Sequence, residues 1–137
     1  MKITSWNVNS LNVRLPHVLQ YLNEAAPDVL GLQELKQTDA AVDTTAIEAA
    51  GYHIATHGQK TYNGVALIAR EPLTDLVRGI PGYADEQARA IAASIGDVRV
   101  LNLYVPNGKA VGDEKYTYKL HWLDAATRYI DDLKREH

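Results

Sequence analysis

The chain has 137 residues, 46% of them hydrophobic and 23% charged, with a net charge of −3 and no cysteine. That length fits one domain, and the composition excludes disorder, disulfides and thiolate metal sites. No stretch reaches the roughly 18 apolar residues of a membrane span, and no charged-then-apolar leader opens the chain. The absence of cysteine is compatible with a cytoplasmic protein. The acidic balance argues mildly against binding nucleic acid by charge alone, so such a role needs local cations or a metal.

Lys2–Val8 reads as a strand. Arg14–Ala26 follows as a helix, with Val18, Leu19, Leu22 and Ala25 on one face, Pro16 in its first turn and Pro27 stopping it. Asp28–Glu34 is a second strand, so the opening segment is a βαβ unit with parallel strands. Thr44–Ala50 reads as a short helix ended by Gly51. Tyr52–His57, Gly64–Arg70, Arg89–Ile95 and Arg99–Val105 read as strands separated by turn residues. Glu114–Glu136 closes the chain as a helix with Tyr116, Leu120, Leu123, Ala126, Ile130 and Leu133 roughly on one face. The chain shows no repeat, low-complexity segment or internal linker. GVALIA (Gly64–Ala69) and VRVLNLYV (Val98–Val105) lack polar alternation, which marks strands buried on both faces. Three helices cover one face of a sheet but hardly two. The expectation is therefore one mixed sheet with flanking helices, about half of a larger α/β structure, whose bare face is covered by more chain or by a partner.

Asn7 and Glu34 end the two parallel strands, at the edge where open α/β sheets place ligands. An amide oxygen beside a carboxylate suits a hard cation such as Mg²⁺, completed by water and phosphate. Spacing alone favours a solvated strand-end carboxylate and a turn asparagine. Lys36 would add positive charge nearby, or simply be solvated. Tyr104 ends another strand before Pro106-Asn107-Gly108. Its hydroxyl and the Asn107 amide could donate to a phosphate, or Tyr104 could be core and the rest a turn. The loop HGQKTYNGV (His57–Val65) holds Lys60, Tyr62 and Asn63. It reads as a hairpin or as a nucleic-acid groove loop. Phosphate-loop, dinucleotide and nucleophile-elbow glycine motifs are absent, and the 5 histidines show no ligand spacing.

KITSWNVNSLN, PDVLGLQELK, GYHIATHGQKTYNGVALIAR, QARAIAA and VRVLNLYVPNG occur in this order through the chain, followed by KYTYKLHWLDAA. In order and spacing they resemble exodeoxyribonuclease III and its abasic-site endonuclease relatives, of the endonuclease/exonuclease/phosphatase superfamily. The resemblance implies a four-layer α/β-sandwich and Mg²⁺-dependent (or Mn²⁺-dependent) hydrolysis of double-stranded DNA at 3′ ends and abasic sites. It implies a DNA repair nuclease of bacterial type, cytoplasmic and nucleoid-associated, with no membrane partner. It makes Glu34 the metal carboxylate and Asn7 a catalytic neighbour at the same metal, with Asn9 supporting them. Tyr104 becomes the tyrosine on the scissile phosphate and Asn107 a phosphate or sugar contact. Arg14, Lys36, Lys60, Tyr62, Asn63 and Arg89 become DNA-facing positions.

The resemblance covers only the family's N-terminal half. The Gly-Asp-x-Asn motif that supplies the base and the later Ser-Asp-His segment are not found. Gly96-Asp97-Val98-Arg99 and Gly112-Asp113-Glu114-Lys115 only begin like the first, and His137 lacks a partner. The 137 residues alone are thus expected to be inactive, joined either by a C-terminal half or by self-association through the exposed sheet face. Two alternatives stand: a non-catalytic half-domain binding DNA or a partner, and a superfamily phosphodiesterase with a non-DNA substrate.

Overall fold

The structure, a computed structural model, describes residues 1–107 and 114–136. Gly108, Gly112, Asp113 and His137, noted above, lie outside the described residues. In chain order the elements are β1 (Ile3–Asn7), α1 (Leu11–Ala25), β2 (Val29–Gln33), a 3₁₀ turn (Asp39–Ala41), α2 (Thr44–Ala49), β3 (His53–His57), β4 (Val65–Ala69), β5 (Thr74–Arg78), β6 (Ala90–Ile95), β7 (Val98–Leu103) and α3 (Glu114–Glu136). The opening βαβ unit forms as expected: β1 and β2 are parallel, with Ile3 opposite Val29 and Asn7 opposite Gln33. β4 joins β2 antiparallel and β3 joins β4 antiparallel, giving a mixed sheet in the order β1-β2-β4-β3.

The remaining strands do not extend that sheet, as a single-sheet reading expects. β5, β6 and β7 form their own antiparallel sheet, and it packs on the first. Side chains alternate between the faces of a strand, and the alternation shows why. Leu30, Leu32, Ala66 and Ile68 join Val18, Leu22 and Ile47 of the helices in one core. Val29, Val65, Leu67 and Ala69 join Ile91, Ala93 and Ile95 of β6 in another. Ala90 and Ala92, on the opposite face of β6, meet Trp122, Ala125, Ala126 and Tyr129 of α3. The four layers, helix, sheet, sheet, helix, are all present in this chain. The double burial of GVALIA is real, but its second cover is the chain's own β6. That of VRVLNLYV does not form, because β7 is an edge strand in which only Asn102 is buried. Among the described residues, the face of β2 and β4 expected to be bare is covered by β6.

What stays open is an edge. Ile3 is 56% exposed on β1 and Val98 40% exposed on β7, both outermost in their sheets. A groove of about 300 Å³ runs between the layers there, lined by Ile3, Val29, Leu67, Val100 and Leu103.

Two helices differ from the sequence pattern. α1 starts at Leu11 and holds Pro16 in its interior. Its start is pinned earlier because Leu11 is buried and its N–H donates to Leu35 O at 3.0 Å, which outweighs the bond Pro16 cannot donate. On α3 the buried stripe is Trp122, Ala125, Ala126 and Tyr129, while Leu120, Leu123 and Ile130 stay exposed. Trp122 and Tyr129 bury more apolar area than leucines at the flank, and so set the helix rotation.

Candidate active site at one end of the sandwich

The motif stretches converge where β1, β2 and β7 end. Backbone bonds stitch them: Ser10 N–H donates to Glu34 O (2.8 Å), Leu35 N–H to Gly64 O (3.1 Å), Lys36 N–H to Asn63 O (2.9 Å), Gly64 N–H to Ala88 O (2.9 Å) and Tyr104 N–H to Arg89 O (2.8 Å). Gly64 permits the crossing, since its φ is +93° and a Cβ would lie 2.9 Å from that of Leu35. Five side-chain-bearing residues here have positive φ: Asn9 (φ 46°), Ser10 (89°), Glu34 (59°), Lys36 (58°) and Asn63 (56°). Such conformations cost about 1–3 kcal/mol each and gather at functional sites. The stitching overcomes that cost.

Turning Glu34 out of the strand direction brings its carboxylate to Tyr104, whose hydroxyl donates to Glu34 Oε1. Burial, then the bond and the charge of Glu34, raise the Tyr104 phenol pKa above its ordinary value. At neutral pH it is therefore protonated and a donor. Asn7 Oδ1 accepts from Asn9 N–H at 3.1 Å, and Lys36 Nζ donates to Asn9 Oδ1 at 2.6 Å. Asn9 thus links Asn7 to Lys36, and a lysine charge stands at the same rim.

Among the described residues no three His, Cys, Asp or Glu side chains cluster for a metal. Glu34 and Asn7 offer one carboxylate and one amide oxygen, and Asn7 Oδ1 keeps a second lone pair beyond the bond to Asn9. This oxygen-only set fits Mg²⁺ or Mn²⁺, which retain waters and need few protein ligands, and does not fit Zn²⁺.

Beside Tyr104 opens a cleft of about 400 Å³ lined by Gln59, Tyr62, Asn63, Arg89, Asn107 and Tyr118. Arg89 is gripped from several directions. Its guanidinium lies over the Tyr104 ring (4.8 Å) and the Tyr118 ring (5.6 Å). Nε donates to Gln87 Oε1 (2.9 Å) and Nη1 to Tyr104 O (3.2 Å). Tyr118 donates to Asp85 Oδ2 at 2.5 Å, and burial, then that bond, raise its pKa strongly. Asn63 Nδ2 donates to Gln59 Oε1 (3.0 Å), which also accepts from Ala88 N–H (2.9 Å). Tyr62 is 68% exposed at the lip, and Lys60 is exposed in the same loop.

The structure brings together Asn7, Asn9, Glu34 and Lys36 at one rim, and Tyr62, Asn63, Arg89, Tyr104 and Asn107 around the cleft. Arg14 lies apart, in the first turn of α1, lining a separate groove with Trp6, His17 and Tyr21. Sequence reasoning missed Gln59, Asp85, Gln87 and Tyr118. For Tyr118 a signal existed, the aromatic-rich KYTYKLHW run at the head of α3.

Over residues 4–136 the sequence matches the endonuclease/exonuclease/phosphatase family. It is similar to exodeoxyribonuclease III of Haemophilus influenzae, 38% identical over all of this chain and 52% of that protein. The fold superimposes on a Neisseria 3′ phosphatase bound to a product DNA hairpin, with TM-score 0.97 and 46% identity, covering 100% of this chain and 54% of the other. It also superimposes on an AP endonuclease from Archaeoglobus fulgidus, with TM-score 0.91 and 37% identity, covering 96% and 51%. The chain spans about half the length of these relatives. A match running from Thr4 to Glu136 places the chain in the endonuclease/exonuclease/phosphatase family.

Proposed function

We propose that this chain supplies the metal- and phosphate-holding side of a Mg²⁺-dependent DNA repair nuclease that hydrolyses phosphodiesters of double-stranded DNA at abasic sites and 3′ ends. The observation that carries this reading is the Tyr104 hydroxyl on the Glu34 carboxylate, beside the strand end that bears Asn7 and next to the Arg89 cleft. Glu34 and Asn7 would hold the cation, whose chemistry when bound is neutralising phosphate charge and acidifying water. Tyr104, kept protonated, donates toward a phosphate oxygen, and donors preset in this way stabilise developing charge without reorganising. Lys36 and Arg89 add positive charge that offsets the acidic whole, and exposed Tyr62 and Lys60 lie where a loop can enter a groove.

The resemblance puts the water-activating base and the His/Asp pair in the half of the relatives' length that these residues do not match. Residues 1–137 are on this reading an N-terminal half, inactive without the second, in a cytoplasmic enzyme. The edge between β1 and β7, rather than a sheet face, is the opening that a second half would meet. A second reading takes its support from the 46% identical 3′ phosphatase: the terminal phosphate, not the internal diester, is the main target. The test is incubation of the full-length gene product with an abasic-site duplex and a 3′-phosphate duplex, with Mg²⁺ or EDTA. Mg²⁺-dependent cleavage of the abasic duplex is expected. Cleavage of the 3′-phosphate alone selects the second reading, and no metal-dependent reaction on either refutes both.

A further inference from the structure

Gln33 and Asn102 are amides, each 7% exposed, in a core otherwise built almost entirely of apolar groups. They sit on different sheets, Gln33 at the end of β2 and Asn102 near the end of β7. Gln33 Nε2 donates to Asn102 Oδ1 at 2.8 Å. Asn102 Nδ2 donates to Leu32 O and to Ala66 O, both at 2.9 Å. Gln33 Nε2 also lies 3.0 Å from Ser5 Oγ. One pair of amides therefore ties β1, β2 and β4 of the first sheet to β7 of the second.

Gly31 makes the space. A Cβ there would stand 3.2 Å from Asn102 Cγ and 3.3 Å from both of its terminal atoms. Its φ lies outside the left-handed range, so glycine serves here for close approach and not for a turn.

An apolar pair would fill this volume without the burden of buried polar groups. A buried amide has a different consequence: any slip of one sheet past the other leaves donors and acceptors unpaired in low dielectric, so the bonds select one register. The position of these bonds gives that register a use. Glu34 follows Gln33 directly and Tyr104 lies two residues beyond Asn102, so the buried bond sits one step beneath the Tyr104–Glu34 contact.

We propose that Gly31, Gln33 and Asn102 form an inter-sheet lock whose role is to position Tyr104 on Glu34. All three are positioning residues. The contact they set is defined without any assumption about substrate, while its effect on turnover rests on the nuclease reading above.

The test compares Gln33→Met, Asn102→Leu and Gly31→Ala in the full-length gene product. Methionine keeps the length of Gln33 but gives Asn102 no donor, while the added methyl of Gly31→Ala presses on Asn102 with every amide retained. With ¹³Cζ-labelled tyrosine at fixed neutral pH, the Tyr104 resonance is expected to shift from its wild-type position toward that in Glu34→Ala, where the contact is gone. In the DNA-cleavage assay kcat is expected to fall about 10–100-fold, the usual effect of an outer supporting group, with KM nearly unchanged. Melting temperatures accompany each variant. Folded variants that melt lower yet keep the wild-type Tyr104 resonance overturn the proposal, because the amides then serve stability alone. If Asn102→Leu does not fold, the two milder variants decide. If the wild-type protein cleaves no DNA, the nuclease reading fails and the Tyr104 resonance still decides the lock.

Discussion

Replacing Tyr104 by phenylalanine separates chemistry from packing. The ring stays, and with it the stacking under the Arg89 guanidinium 4.8 Å away. The Arg89 bond to the Tyr104 carbonyl also stays. Only the hydroxyl donating to Glu34 Oε1 is lost. A hydrogen bond to a charged group contributes about 1.5–3 kcal/mol. Glu34 and Tyr104 are both part-exposed, so water can replace the donor and the loss falls at or below the lower end, about 1 kcal/mol. For a protein of the relatives' length, about twice that of this chain, that is a fall of roughly 2–4 °C in melting temperature. A donor aimed at developing charge counts for more in the reaction, about 10²–10³ in kcat. The assay pairs thermal melting with cleavage of an abasic-site duplex by the full-length gene product. Cleavage within about twofold of wild type, or a collapse of melting temperature far beyond the stated range, would refute the assignment of Tyr104 to the chemistry.

Trp122 is 1% exposed between α3 and the outer face of β6, so Trp122→Ala is expected to cost about 3–5 kcal/mol, measured by urea unfolding; an unchanged midpoint would show that α3 does not hold the second sheet. The Tyr118 pKa is raised, first by burial and then by Asp85, so its contribution is complete below about pH 10 and is lost as pH rises above that value. Tyr118→Phe should flatten the alkaline limb of a stability–pH curve, and an unaltered limb contradicts the assignment. The His57 pKa is lowered by burial, with Asp39 opposing. Its contribution is present above about pH 6.5 and is lost as pH falls through the lower folded value. His57→Gln should flatten the acid limb in chemical-denaturation measurements at graded pH.

Local grammar carried much of the fold. Helix periodicity between two short apolar runs gives the parallel βαβ unit, and the absence of polar alternation in GVALIA marks double burial. Neither says which element provides the second cover. That depends on β6 turning alternate residues to two cores, Ile91 and Ala93 inward, Ala90 and Ala92 toward α3, a distinction invisible in AIAA. β5 leaves no apolar run to read, because its side chains are almost all exposed. The candidate site was legible where strand ends carry unusual groups, as at Asn7, Glu34 and Tyr104. Its supports were not, because Gln33 and Asn102 act across sheets, 69 residues apart, and Arg89 is held by an aspartate–tyrosine pair from a loop and a helix.

The measurement closest to the central claim is metal-dependent cleavage by Glu34→Gln. Glutamine keeps the size of Glu34 and its backbone conformation at φ 59°, but removes the charge that would hold a divalent cation. The prediction is a loss of Mg²⁺-dependent cleavage of an abasic-site duplex by about 10² or more, together with weaker Mn²⁺ binding and a melting temperature close to wild type. Wild-type cleavage with unchanged metal dependence, or loss of activity only through unfolding, would contradict it and return Glu34 to the role of a structural strand-end carboxylate.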